Sequence, residues 1–382
     1  MALQPDLSQV GNYKILKSIH FCLFFLESLF RHLKKENRLS LRSRLGDIKR
    51  SLEVFRFTMP VLGNHFWNLK LKELQTIPRQ LNIEITSICN AKCIMCPRHD
   101  MERKMEVMSF ETYKNIIAQA KKLGIQKFAL NGYGEIFTAR QDYGNFIIHL
   151  RKEIPNAYIL INTNGSLMDA KAAQLLIDQK VNTVHIDIDG ATKETFEKIR
   201  ENLRFEMVVG NVKKLVETRR QQKAALPIVR VGILSQPANR HEVEDHQNQW
   251  RGVADFVGTD IIVSRGGSVD VKDGMLDVGH PCYLLWSEMN IWSDGGVVLC
   301  CDDWNAEENM GNVRTHPIVE IWNSAKFQKY RGLHTDGRAS EIKMCKNCTW
   351  ARRGPKWFET KMKKKKAPAA ELSESKISYA GS

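Results

Sequence analysis

The sequence predicts an α/β fold built on a parallel sheet, and three observations predict it. From about residue 80 to 265, short apolar runs alternate with amphipathic ones six times over. The apolar runs have strand length and the amphipathic runs have helix length. After residue 280 the alternation stops, and cysteines, glycines and tryptophans become dense. The chain therefore reads as one large repeating unit followed by a smaller one of different texture.

Taken in order, residues 12–38 form an apolar run of helical length, interrupted by Lys17, His20 and Glu27 and followed by Arg31, Lys34, Lys35, Arg38, Arg42 and Arg44. The interruptions make it a poor spanning helix. It reads either as an interfacial helix making peripheral membrane contact, or as a helix packed on the main domain or a partner; the second reading is favoured. Six strands are predicted at 81–86, 127–131, 158–162, 183–189, 228–234 and 256–263. Helices are predicted at 110–123, 142–153, 169–179, 193–201, 207–222 and 242–250. The second unit carries Trp286, Trp292, Trp304, Trp322 and Trp350. The end, with its run Lys361-Met-Lys-Lys-Lys-Lys366, reads as a disordered basic tail. The expected divisions are 1–79, a basic helical segment; 80–270, the β/α core; 271–352, the cysteine-rich unit; and 353–382, the tail.

The net charge of +14 is uneven. Residues 1–80 carry +8 and residues 352–382 carry +6, so the span 81–351 is neutral. A neutral core argues against a nucleic-acid substrate, which needs a basic track across the working surface. Nine cysteines and no signal-peptide-like start point to metal-binding thiols in a reducing cytoplasm.

The first strand runs into Cys89-Asn-Ala-Lys-Cys93-Ile-Met-Cys96, a C-x3-C-x2-C loop. Three thiolates on one short loop can hold three irons of a 4Fe–4S cluster and leave the fourth iron open. A zinc site or scattered structural thiols are the plainer readings. The second strand ends in Asn131-Gly-Tyr-Gly-Glu135, the third in Asn162-Thr-Asn-Gly165, and the fourth reads His185-Ile-Asp-Ile-Asp-Gly190. His185, Asp187 and Asp189 share one face of an alternating strand.

These motifs together resemble the radical S-adenosylmethionine (radical SAM) superfamily. The resemblance implies a partial (β/α)6 TIM-like barrel, open at one side, with SAM chelated to the open iron and cleaved reductively to a deoxyadenosyl radical. It implies that Cys89, Cys93 and Cys96 ligate the cluster, and that Gly134 and Glu135 meet the SAM amino group. It also implies that Asn162, Thr163 or Asn164 meets the ribose or the carboxylate. Asp187 and Asp189 are candidates for SAM or substrate, with an internal salt bridge to Arg230 as an equal reading. Arg230 is itself a candidate for the SAM carboxylate. Met95 stands where the family commonly has an aromatic residue; a methionine can also pack against a ring.

The second unit reads Cys282, then Gly295-Gly-Val-Val-Leu-Cys300-Cys301, then Cys345-Lys-Asn-Cys348. This C-x12-G-x4-C pattern with a later C-x2-C resembles a SPASM-type domain. It implies one auxiliary 4Fe–4S cluster on Cys282, Cys300, Cys345 and Cys348. A structural zinc site would use the same thiols. Cys301 is surplus: a bystander, a spare ligand or a functional thiol.

The family reading implies a radical SAM oxidoreductase supplied with electrons by a flavodoxin- or ferredoxin-type reductant. The favoured substrate is a hydroxylated small molecule of sugar or aminocyclitol type, with the auxiliary cluster accepting an electron. The alternatives are a sugar epimerase with Cys301 as hydrogen-atom donor, a maturase acting on a peptide substrate, and an iron–sulfur electron carrier without SAM chemistry.

Overall fold

A computed structural model describes residues 76–139, 142–261, 281–346 and 348. The apolar run at 12–38, the basic tail at 353–382, Trp350, the boundary near 270 and the last two residues of the sixth predicted strand lie outside the described residues. All described residues fall within one unit, residues 75–382.

The chain enters through β1 (Gln80–Ile83) and a two-residue strand, β2 (Lys92–Cys93). Helix α1 (Phe110–Lys122) follows, and then three β/α units: β3 (Lys127–Leu130) with α2 (Tyr143–Glu153), β4 (Tyr158–Thr163) with α3 (Ala170–Asp178), and β5 (Thr183–Asp187) with α4 (Lys193–Ile199). Next come β6 (Arg200–Glu201), α5 (Phe205–Gln221), β7 (Ile228–Ser235), α6 (Val243–Trp250) and β8 (Phe256–Ile261). The second unit contributes α7 (Leu284–Ser287), β9 (Glu288–Ile291), β10 (Gly296–Val298), β11 (Asn309–Asn312), α8 (Ile318–Trp322), α9 (Ala325–Thr335) and α10 (Lys343–Lys346). Helix starts are set locally. The side chains of Ser109, Asp169, Thr192 and Ser324 each accept from the backbone amide three residues on.

Among the described residues the main sheet runs β11-β10-β9-β1-β3-β4-β5-β7-β8. The six core strands pair in parallel and in chain order, as the alternation predicts. One face buries Leu81, Ile83, Phe128, Leu130, Ile159, Ile161, Val184, Ile186, Val229 and Val231 beneath the helices. Each such side chain contributes about 1.5–3 kcal/mol. The other face lines the barrel interior and is polar, with Asn82, Asn162, His185, Asp187 and Arg230.

One feature departs from expectation. The helix predicted over 193–201 stops at Ile199, because Arg200 and Glu201 pair as β6 with β2 of the cysteine loop. The second unit joins the same sheet: β9 pairs in parallel with β1, so the sheet crosses from core to cysteine-rich unit without a break.

Candidate active site

The cysteine loop leaves β1 at the C-terminal edge of the sheet, and two neighbouring segments, 106–107 and 135–138, hold its start. Thr86 bridges to Val107, and Ser87 N donates to Glu106 O at 3.0 Å. The Ile88 carbonyl accepts from Glu135 N and from Thr138 Oγ1, both at 2.9 Å. This approach requires a glycine at 134, where an added Cβ would lie 2.0 Å from Thr86 O and 2.8 Å from Ile88 O.

Glu135 is 2% exposed and works mainly inside the protein. It accepts from Thr163 Oγ1 and Asn164 N at 2.7 Å and from Phe137 N at 3.3 Å. Burial pushes its carboxyl up, against the pull of these bonds. Three of about four acceptor positions on a carboxylate are thus taken, leaving room for a single further donor. Asn164 is committed too: its Nδ2 donates to Asn90 Oδ1 at 3.1 Å and to Cys89 Sγ at 3.9 Å. Thr163 is spent on Glu135. Of the three polar residues ending β4, Asn162 faces the interior with a buried Oδ1 that has no donor.

Cys89, Cys93 and Cys96 lie close enough to feel one another's charge. Burial pushes the Cys93 thiol up to about 12, opposed by the Arg200 guanidinium. Burial raises Cys89 as well, while Arg98 opposes. Thiols so hard to ionise alone suit a cationic iron partner, which would stabilise the thiolates. Three thiols on one loop, with no fourth beside them among the described residues, fit a cluster with one open iron. Arg98 steadies the loop by donating to Ala91 O at 2.9 Å. Met95 is buried against Ile199, with Leu234 and Ala238 alongside.

On β5 the salt bridge goes to Arg200 and not to Arg230. Arg200 contacts the Asp189 carboxylate at 2.7 and 2.8 Å and lies 3.7 Å from Asp187. Asp189, fully buried, also accepts from Leu234 N at 2.7 Å and is therefore closed to a ligand. Asp187, its side chain 40% exposed, lies 3.2 Å from His185 Nε2. Arg230 sits four residues before Leu234 on β7, about 13 Å along the strand. Its guanidinium reaches along the interior to Gly258 on β8, the register partner of Gly232.

Sequence reasoning missed Glu84 and Arg103. Glu84 is fully buried and takes both arms of the Arg103 guanidinium at 2.7 and 2.8 Å. It also accepts from Tyr133 N at 3.0 Å and Ser293 N at 3.2 Å. Arg103 lies over the Trp292 ring and donates to Trp304 O at 2.5 Å. The pair therefore ties the cysteine loop to the second unit. A charge two positions beyond Asn82, on the interior face of β1, was the available signal.

In the second unit Cys282, Cys345 and Cys348 feel each other's charge, and Cys345 also acts on Cys300. Burial pushes Cys282 up to about 12 and raises Cys300 and Cys345. Cys348 is buried, and Cys301 alone of the five is exposed. The Cys301 carbonyl accepts from Tyr133 Oη at 2.9 Å. Among the described residues no three His, Cys, Asp or Glu side chains converge on a position for a single metal ion. A cluster asks less convergence, since each thiolate meets a different iron.

Two family models match, the radical SAM superfamily over residues 83–246 and an iron–sulfur cluster-binding (SPASM) domain over 282–349. The chain belongs to the radical SAM superfamily. It is a radical SAM enzyme of the SPASM group, with 4Fe–4S clusters and SAM as its cofactors. It is 22% identical over 271 residues to S-adenosyl-L-methionine-dependent 2-deoxy-scyllo-inosamine dehydrogenase of Niallia circulans, covering 70% of this chain and 91% of that one. It is 28% identical over 169 residues to a probable GTP 3',8-cyclase of Methanocaldococcus jannaschii, covering 44% of this chain and about half, 53%, of that relative. The crystal structure of BtrN in complex with AdoMet and 2-DOIA superposes with a TM-score of 0.51 at 20% identity, over 71% of this chain and 93% of that one. That likeness shows the fold. Among the described residues no helix is long and apolar enough to cross a membrane.

Proposed function

We propose that this radical SAM enzyme oxidises a carbon of a hydroxylated small molecule of sugar or aminocyclitol type. The observation that carries the reading is the pair of thiol sets, Cys89/Cys93/Cys96 and Cys282/Cys300/Cys345/Cys348, in two units joined by one continuous sheet. Similarity to the inosamine dehydrogenase over nearly all of that protein's length supports it. When bound, SAM and the first cluster supply a radical that takes one hydrogen atom, and the second cluster can accept one electron.

Residues of this chain supply the rest. The three-cysteine set holds the first cluster and the four-cysteine set the second. Gly134 lets the second strand end close on the cysteine loop, and Glu135 offers its remaining acceptor position to the SAM ammonium. Thr163 and Asn164 brace that position, while Asn162 offers its free amide to SAM or substrate. Converting an alcohol carbon to a carbonyl removes one hydrogen atom, one electron and one proton. Asp187, half exposed beside His185, takes the proton. A flavodoxin- or ferredoxin-type reductant supplies the initiating electron.

A second reading has its own observation. It is epimerisation with Cys301, the exposed cysteine of the second unit, as hydrogen-atom donor; Tyr133 holds its main chain.

Anaerobic reconstitution tests the proposal. Two 4Fe–4S clusters require about eight irons and about eight sulfides per chain. Replacing Cys89, Cys93 and Cys96 together by Ala should remove half the iron and all deoxyadenosine formation. Replacing Cys282, Cys345 and Cys348 should leave SAM cleavage and abolish the carbonyl product. Zinc in the second unit, or SAM cleavage surviving the first triple change, would refute the assignment. A product epimer carrying solvent deuterium, lost in Cys301→Ala, would select the second reading.

A further inference from the structure

The barrel interior holds a cation that the reaction above does not use. Asn162 on β4, His185 on β5 and Arg230 on β7 are register partners, so they share the interior face in one lateral row. The residues flanking them, Val184, Ile186, Val229 and Val231, are fully buried on the opposite face. Arg230 is only partly buried, and among the described residues its side chain makes no hydrogen bond and no ion pair. Of the acids ending β5, Asp187 faces His185 and Arg200, and Asp189 is locked to Arg200; Asp260, two residues beyond Gly258 on β8, is exposed.

A guanidinium offers five donors in a planar fork, and holding it unpaired inside a protein is costly. The chain makes room for it. Nη2 lies 3.1 Å from where a Cβ on Gly258 would stand, so the fork rests over β8 where only a glycine leaves space. On the other side of His185, the buried Asn162 Oδ1 has no donor. One row therefore presents an unused anion-binding fork and an unused hydroxyl acceptor.

We propose that Arg230 receives an oxyanion, a carboxylate or a phosphate, borne by the substrate, while Asn162 Oδ1 accepts from one of its hydroxyls. The inference rests on the proposed function and narrows it. The substrate is a hydroxylated molecule with an acidic group, such as a sugar acid or a sugar phosphate, and not a purely cationic amino sugar. The probes are offered with SAM already bound, so an Arg230 taken by the SAM carboxylate would show no anion preference.

The test uses the reconstituted full chain with SAM and reads binding by saturation-transfer NMR. The probes are glucuronate, glucose 6-phosphate, glucose and glucosamine. At least one anionic probe should bind tenfold or more tighter than glucose and glucosamine, and whichever binds distinguishes carboxylate from phosphate. Arg230→Met should remove that preference and Arg230→Lys should keep part of it, with iron content and thermal melting confirming that both variants fold. Equal binding of neutral and anionic probes, no binding of any anionic probe, or an unchanged preference in Arg230→Met would overturn the proposal. Deoxyadenosine formation by the unaltered chain is measured separately. Its absence would sink the radical SAM reading, whereas its presence without anion preference would sink only the oxyanion.

Discussion

Gly134 sits where no side chain fits. A methyl group there would run into the backbone carbonyls of Thr86 and Ile88, and backbone yields less readily than a side-chain tip. Gly134→Ala should therefore push the second strand end away from the cysteine loop. The expected cost is about 1–3 kcal/mol, the range for overpacking a tight site. Thermal melting should register that loss, and iron analysis should show the first cluster depleted while the second is retained. Full iron retention with an unchanged melting temperature would mean that the loop tolerates the shift. Glu135 shows the complementary point. A motif acid that looks like a free ligand in the sequence spends three acceptor positions on holding its neighbours.

At the scale of elements, the short β2–β6 ladder matters more than its length suggests. It pairs Cys93 with Arg200, and the Arg200 side chain then anchors Asp189 after β5. One arginine thus joins the cysteine loop to the fourth strand end. Removing one partner of a buried ion pair leaves the other uncompensated, at about 3–5 kcal/mol. Arg200→Met should destabilise by that amount, and Arg200→Met with Asp189→Leu should recover much of it. Denaturant unfolding of the two singles and the double measures the coupling. Additive losses would show that the Arg200 and Asp189 side chains do not couple.

At the scale of the whole molecule, the second unit completes the sheet. β9 covers the edge of β1 that would otherwise present unpaired amides and carbonyls, and Glu84 binds Arg103 and Ser293 across the same junction. A chain ending after residue 261 should expose that edge and associate. Size-exclusion chromatography should show aggregates in place of a monomer. A monomeric, cooperatively melting truncated chain would show instead that the barrel stands without its neighbour.

The alternation of β/α runs determined the six-strand parallel order, because apolar periodicity is a local property written residue by residue. Cysteine spacing likewise marks both thiol sets in the chain itself, since ligands on short loops are near in sequence as well as in space. The identity of Arg200 as the partner of Asp189, the spent carboxylate of Glu135, the reach of Arg230 to β8 and the Glu84–Arg103 junction were decided only by tertiary structure. Each depends on how far along its strand a residue stands when strands of different length pack side by side. Pairing register fixes that position, and register belongs to the assembled sheet and not to any one segment.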